Sequence, residues 1–342
     1  MKKRGPTPAT TAHCERGESI AGADTGTTQR WRRDILVRPE LWFASSGSRS
    51  GARPMSSADP PFSSIRYLPT SEAYDRWAAV YDTDGNFLQK LDTMEMKTLF
   101  PRFIASLPEP ARRPWRIVDL GCGTGRNTAL LLTVPDTEIV ALDASQGMLD
   151  VARSRLLPRT GEEGPDPGKE TWTGKGEGAA RPNLRFGLHD IIATSSPPET
   201  ARDADGVIST LVVEHVPLPL FFEHAAALLR PGGVLLLTNM HADMGAVSQA
   251  GFVDAATGEK IRPTSYAHTV ADVVAEAGRW GLRVEGGDGI REVAVDEDMV
   301  DALGPRSRKW IAGIKARDLF FFFFFSTNNV ALHLIFTAVL GV

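Results

Sequence analysis

The stretch Arg116-Ile117-Val118-Asp119-Leu120-Gly121-Cys122-Gly123-Thr124-Gly125 constrains this chain more than any other. Residues 117–120 read as a short buried strand, and they enter a turn with glycine at every second position. From residue 127 to 132 the pattern is helical. A strand that turns through glycines into a helix lets a ligand approach bare backbone. The helix start offers that ligand free N–H groups and the positive end of a dipole. The spacing departs from the dinucleotide fingerprint Gly-x-Gly-x-x-Gly/Ala. Gly125 comes one residue early, and Arg126 takes the position where close helix–strand packing calls for a small side chain. Asp119 lies at the strand end, where its charge would repel a pyrophosphate and suits a cationic ligand such as an amino group or a sulfonium.

Asp119-Leu120-Gly121-Cys122-Gly123-Thr124-Gly125 resembles the Asp/Glu-x-Gly-x-Gly-x-Gly motif of the class I S-adenosylmethionine (SAM) methyltransferases at every fixed position. The resemblance implies an α/β fold with a doubly wound, mostly parallel, seven-stranded Rossmann-like sheet. It also implies SAM binding by Asp119, Gly121, Cys122, Gly123 and Gly125. Residues 138–143 form a second buried strand ending in Asp143, 18 residues beyond Gly125. A carboxylate there can accept both hydroxyls of a ribose. The following Ala144-Ser145-Gln146-Gly147-Met148 continues like the family's second motif, which brings Ala144 and Met148 to the adenine. A third strand, in residues 184–191, ends in Asp190-Ile191, which match the family positions that meet the adenine amino group and flank the ring.

The alternation continues. Residues 205–210 read as a strand and 221–229 as an amphipathic helix. Arg230-Pro231-Gly232-Gly233 stops the helix and permits reversal into a strand at 234–238, like the family's third motif. Strands and helices thus follow one another as βα units. Upstream, Tyr74-Asp75-Arg76-Trp77-Ala78-Ala79-Val80-Tyr81-Asp82 sets Tyr74, Trp77 and Tyr81 on one helical face. This box resembles the one that precedes the glycine motif in ubiquinone/menaquinone-type methyltransferases and their small-molecule relatives. There the resemblance implies a cap over cofactor and substrate. Residues 91–104 read as a further helix. Tyr266-Ala267-His268-Thr269-Val270, before a helix at 270–280, resembles the same subfamily. Residues 282–295 alternate loosely as a strand, and a closing antiparallel strand is expected to follow the segment near 308–311.

The ends differ from the middle. Residues 1–54 carry ten Lys/Arg against five Asp/Glu and no apolar period. They read as a disordered extension upstream of Met55. The methyltransferase domain is placed at 55–318, with an exposed insertion at 157–182 rich in Gly, Glu, Pro and Lys. Residues 319–342 hold six consecutive phenylalanines and no Asp, Glu, Lys or Arg. This atypical apolar tail reads as a translated polypyrimidine tract rather than a membrane anchor, because Asn328 and Asn329 would be costly in lipid. Both ends are expected to be dispensable, with one exception held open. Residues 320–325 could supply the sheet's missing strand by hydrophobicity alone.

The net charge is −4, and no basic stripe accompanies the motif residues, so a small-molecule acceptor is expected rather than nucleic acid. Two distant cysteines, Cys14 and Cys122, build neither a disulfide framework nor a metal cluster, which fits a reducing, cytoplasmic setting. Methyl transfer from a sulfonium requires mainly that donor and acceptor be aligned with water excluded. A base is needed only where the acceptor must lose a proton. His215, His241 and His268 follow strand ends and are the candidates, with Glu214, Tyr74 and Tyr81 near them. The expected acceptor is small, aromatic or a secondary metabolite, methylated on oxygen or nitrogen. Two alternatives stay open: a non-catalytic methyltransferase-like regulatory or assembly protein, and a NAD-dependent oxidoreductase.

Overall fold

Strands whose side chains are apolar at every position must be covered on both faces, and Val118, Ile139, Val207 and Leu235 are all at most 1% exposed. The computed structural model describes residues 65–107, 113–157, 181–286, 289–312 and 320–327. The extension at 1–54, nearly all of the insertion at 157–182 and the tail beyond 327 lie outside the described residues.

The chain starts with β1 (Ile65–Leu68), α1 (Thr70–Trp77) and α2 (Phe87–Ser106), the last opened by Asn86, whose side chain accepts from the Leu88 N–H. Then come β2 (Trp115–Leu120), α3 (Arg126–Leu131), β3 (Thr137–Asp143), α4 (Gln146–Leu156) and β4 (Leu184–Leu188). Next are β5 (Ala204–Thr210), α5 (Leu218–Leu228), β6 (Leu229–Met240), α6 (Ala242–Val247), β7 (Phe252–Val253) and β8 (Lys260–Pro263). The described chain closes with α7 (Val270–Arg279), β9 (Leu282–Val284), β10 (Ile290–Val293), α8 (Val300–Leu303), α9 (Arg308–Ala312) and β11 (Phe320–Thr327).

The main sheet has the order β10-β11-β6-β5-β2-β3-β4, and β9 also pairs with β11. Strands β2 to β6 are mutually parallel, and β11 runs antiparallel to β6. β10 meets residues 320–323 of β11 and β9 meets 325–327, so the two share one edge and the sheet has seven strand positions. This is the doubly wound, mostly parallel Rossmann-like architecture expected. Val118, Val140 and Val207 face a core filled by α5 and α7 through Phe221, Phe222 and Val273. Ile117, Ile139 and Ile208 face the opposite core, filled by α2 to α4 through Met96, Phe103, Leu131 and Leu149. A second sheet, β1-β8-β7, stands apart from the first and carries part of the cap.

Two expectations are corrected here. Residues 308–311 lie in α9, and the antiparallel strand expected after them is β11. The phenylalanine run, expected to be dispensable, forms that strand, and the domain boundary set at 318 leaves it out. Phe320 to Phe325 are each at most 3% exposed, and the strand lies between β6 and the β9/β10 edge rather than at the rim. The run works because a strand alternates its faces. Phe321, Phe323 and Phe325 enter the α5/α7 core, and Phe322 and Phe324 enter the α2/α4 core. The stretch at 282–295 is also not one strand. It breaks into β9 and β10.

A chain ending at residue 318 is therefore expected to lose cooperative folding, because β6, β9 and β10 lose their common partner. In the full chain, Phe323→Ala should cost about 3–5 kcal/mol, the range for deleting a buried phenyl ring. Urea unfolding followed by circular dichroism measures both.

Candidate active site

The carboxyl ends of β2, β3 and β5 and the turn after β4 surround a cleft of ≈ 700 Å³ including its opening. Of the residues assigned to a cofactor, Gly121, Gly123, Asp143, Ala144, Met148, Asp190 and Ile191 line it. Asp119, Cys122 and Gly125 do not, and stand behind the wall. Gly123 has φ +54°, and a β-carbon there would meet nothing within 4 Å. Bare backbone thus faces the cleft. A β-carbon on Gly125 would approach Leu156 Cδ1 to 2.7 Å and the Ala152 methyl to 3.2 Å. Gly125 therefore does the close packing against α4, which frees Arg126 to carry a long side chain.

Asp143 joins two turns. Its Oδ2 accepts from the Gly123 N–H at 2.7 Å and its Oδ1 from the Ser145 N–H at 2.8 Å. Asp119 is buried and accepts from the Thr128 hydroxyl at 2.6 Å. Burial raises both carboxyls to about 6. Asp190 closes a turn, accepting from the Ile192 N–H at 2.8 Å, while lining the cleft. Bare backbone at Gly123, carboxylates at Asp143 and Asp190, and apolar surface from Met148 and Ile191 suit a nucleoside that carries a cation.

The cap is fastened by the two aspartates of the aromatic box. Asp75 Oδ1 accepts from the Gly147 N–H at 2.8 Å and from the Ser145 hydroxyl at 2.6 Å. Asp82 accepts from the Thr124 hydroxyl at 2.9 Å, inside the glycine turn. Helix α1 stops at Trp77, so Tyr81 arrives from the turn that follows rather than from the same helical face. The three rings still meet, with centroids 5.1–5.7 Å apart.

Of the three histidines, only His215 reaches the cleft. Its Nδ1 lies 2.7 Å from the Thr264 carbonyl, which fixes the proton there. Nε2 then accepts from the Tyr74 hydroxyl at 2.8 Å. Burial lowers His215 to about 4 and raises the Tyr74 phenol, so the pair is neutral and the imidazole lone pair is occupied. His241 lines neither the cleft nor the cavity beside it. It caps α6 through the Asp243 N–H and approaches Glu292 at 3.4 Å. His268 is likewise remote, its Nε2 engaged with the Val216 carbonyl at 3.0 Å and its ring stacked on Tyr266.

A second cavity of ≈ 1440 Å³, including its mouth, lies on the other side of Tyr74, Tyr81 and Leu211, which line both. Trp77, Phe87 and Phe252 give it an aromatic wall, and Trp77 stacks on Phe252 at 5.1 Å. Its polar lining is Glu214, Asn86, Gln249, Lys260 and Arg306 among others. Lys260 and Arg306 have no ion-pair partner among the described residues. No sequence signal marks these two, since they line one cavity from the cap strand and a turn after α8, 46 residues apart. Nor did it mark Leu211, a non-glycine residue at φ +57° in the shared wall. Among the described residues, no cluster of three or more His, Cys, Asp or Glu side chains could hold a metal ion.

Below the cleft, Arg126 forms an ion pair with the fully buried Asp92 of α2, whose other oxygen accepts from Thr238 in β6 at 2.6 Å.

Comparison with known proteins finds the following similarities. The profile of a family described as a methyltransferase domain matches residues 93–284. An uncharacterized methyltransferase of Emericella nidulans is 47% identical over 270 residues, covering 72% of this chain and 88% of the relative. A trans-aconitate 2-methyltransferase of Methylobacterium radiotolerans is 32% identical over 191 residues, covering 50% of this chain and 62% of the relative. Among solved structures, a SAM-dependent methyltransferase from Mesorhizobium loti aligns with 66% of this chain and 96% of its own, at 22% identity and a TM-score of 0.43.

Replacing Arg126 by alanine leaves Asp92 buried without its cation. The expected loss is about 3–5 kcal/mol of stability, the range for breaking one side of a buried pair, measured by urea unfolding against an Asp92→Asn, Arg126→Ala double variant that should recover part of it.

Proposed function

The chain belongs to the methyltransferase-domain family and is a SAM-dependent methyltransferase, and from that premise we propose that it methylates a carboxylate oxygen of a small acid held in the aromatic-walled inner cavity. SAM is the cofactor, and it supplies a sulfonium-bound methyl group. The observation that carries the acceptor reading is a pair of cations, Lys260 and Arg306, without an ion-pair partner among the described residues, in a cavity that shares a wall with the cofactor cleft. The neutral Tyr74–His215 pair supports it from the other side. Both histidines that line the cleft are already engaged, His215 with Tyr74 and Thr264 and His189 with His224 at 3.0 Å and Thr194 at 3.4 Å, and a carboxylate has no proton to lose. Its oxygen forms the new C–O bond as the C–S bond breaks, and sulfur keeps the electron pair. A relative named trans-aconitate 2-methyltransferase supports the same acceptor chemistry.

In this reading Gly123 and Asp143 hold the nucleoside, Asp119 adds negative charge from behind the turn, and Tyr74, Trp77 and Tyr81 exclude water between the cavities. Asp190, Ile191, Ala144 and Met148 surround the base. A second reading is favoured by the aromatic wall of Trp77, Phe87 and Phe252. In it the acid also carries a ring, as in the small-molecule relatives of the ubiquinone/menaquinone type.

Asp143→Ala should weaken SAM binding at least tenfold, since each charge-assisted hydrogen bond contributes about 1.5–3 kcal/mol. Gly123→Val should abolish it. Wild-type affinity should fall as pH drops through about 6, because protonating Asp119 and Asp143 removes the charge that favours a cation. Calorimetry decides; affinity that is flat between the two sides of that pH in wild type would contradict these roles.

For the acceptor, incubation with SAM and trans-aconitate, followed by mass spectrometry, should yield a base-labile methyl ester. Arg306→Ala should raise KM for the acid about tenfold, one charged hydrogen bond, at unchanged SAM affinity. Turnover of a neutral phenol in place of every acid tried would refute the carboxylate acceptor.

A further inference from the structure

Glu214 is 4% exposed, lines the inner cavity, and its Oε2 has no hydrogen-bond partner among the described residues. A buried carboxyl oxygen left unpartnered is costly unless something else meets it. The groups around it do not. His215, in the same short 3-10 turn, approaches Oε1 only to 3.9 Å and is already committed to Tyr74 and Thr264. Asp92 of α2 adds negative charge to its surroundings, as Tyr74 and Tyr81 of the cap would on ionising. Lys260 and the exposed Arg306 line the same cavity and have no ion-pair partner among the described residues. A cavity with cations toward solvent and one unsatisfied carboxyl at its buried side is built for a ligand with two polar ends.

Resting on the carboxylate acceptor argued above, we propose that Glu214 is the specificity-determining residue of this cavity: as a neutral acid it donates a hydrogen bond to one carboxylate of a polycarboxylic acceptor whose other carboxylate is held by Lys260 and Arg306. Burial, reinforced by Asp92 and opposed by the backbone amides of Glu214 and Met240, raises this carboxyl to about 7. The acid form is therefore available near neutrality, and an incoming anion stabilises it further. Ionised, the same group would repel the acceptor. Affinity for a polycarboxylate should thus be retained below pH 7 and lost above it, with a proton taken up on binding.

The test uses the full chain saturated with S-adenosylhomocysteine. Trans-aconitate and the monocarboxylate crotonate are titrated calorimetrically at about pH 6.5 and about pH 8.5, in buffers of different ionisation heat; a pKa unit corresponds to a tenfold change. Wild type should bind trans-aconitate about tenfold more tightly at the lower pH. Glu214→Gln, whose amide donates at any pH, should bind it equally at both and within a few-fold of the wild-type low-pH value. Crotonate, which engages only the cationic end, should respond to neither change. Unchanged affinity for S-adenosylhomocysteine shows that the variant is folded. Wild-type affinity that rises with pH, or trans-aconitate binding whose pH dependence is the same in both proteins, would overturn the role of Glu214 while leaving the acid acceptor standing. If wild type binds neither acid, the acceptor reading falls and this inference falls with it.

Discussion

Parallel strands buried on both faces leave the chain only their ends at which to place polar groups, and this constraint organises the rest of the molecule. Within β2 and β3 the side chains are committed to two cores. Asp119 and Asp143 come where those strands run out. Asp143 then serves as more than a ligand candidate, since it binds the amides of Gly123 and Ser145 and so sets the glycine turn against the start of α4. Holding a carboxylate at this buried place raises its pKa. That cost is offset by the two backbone amides, and a bound cation would offset it further.

The cap depends on the same turns. Asp75 and Asp82 reach from the cap to Ser145, Gly147 and Thr124, so the ordering of the glycine loop and the seating of the aromatic box are one event. The box then forms part of the wall between two cavities of different character. One is lined by backbone, carboxylates and apolar side chains. The other has an aromatic wall, two cations without an ion-pair partner among the described residues, the buried Glu214 and the half-buried Asp84. The Tyr74–His215 hydrogen bond stiffens that wall with two neutral groups. This explains how a histidine at a family-like position can line the cleft without offering a base.

The phenylalanine run shows how far composition can mislead. Six identical residues carry no alternation, so nothing in the run itself distinguishes an artefact from a strand buried on both sides. What distinguishes them is the partner. Leu235, Leu236 and Leu237 of β6 lie opposite Phe325, Phe324 and Phe323, and the two helical layers leave room for rings on either face. Position along the chain placed a closing antiparallel strand after residues 308–311, and β11 lies there, while 308–311 themselves fold as α9 behind the turn that Pro305 opens.

The sequence alone determined the parallel sheet, the order of its βα units and which residues gather at one cleft, from Gly121 and Gly123 through Asp143 and Met148 to Asp190 and Ile191. These features are local: a strand, its turn and the next helix lie within a few residues of each other, so spacing records them. Tertiary structure alone decided that Asp119, Cys122 and Gly125 stand behind the cleft, that His241 and His268 are remote from it, and that Glu214, Lys260 and Arg306 share a cavity. Those outcomes depend on which distant surfaces are pressed together when the sheet closes through β11. A contact between residues far apart in the chain leaves no period or spacing in the sequence from which it could be read.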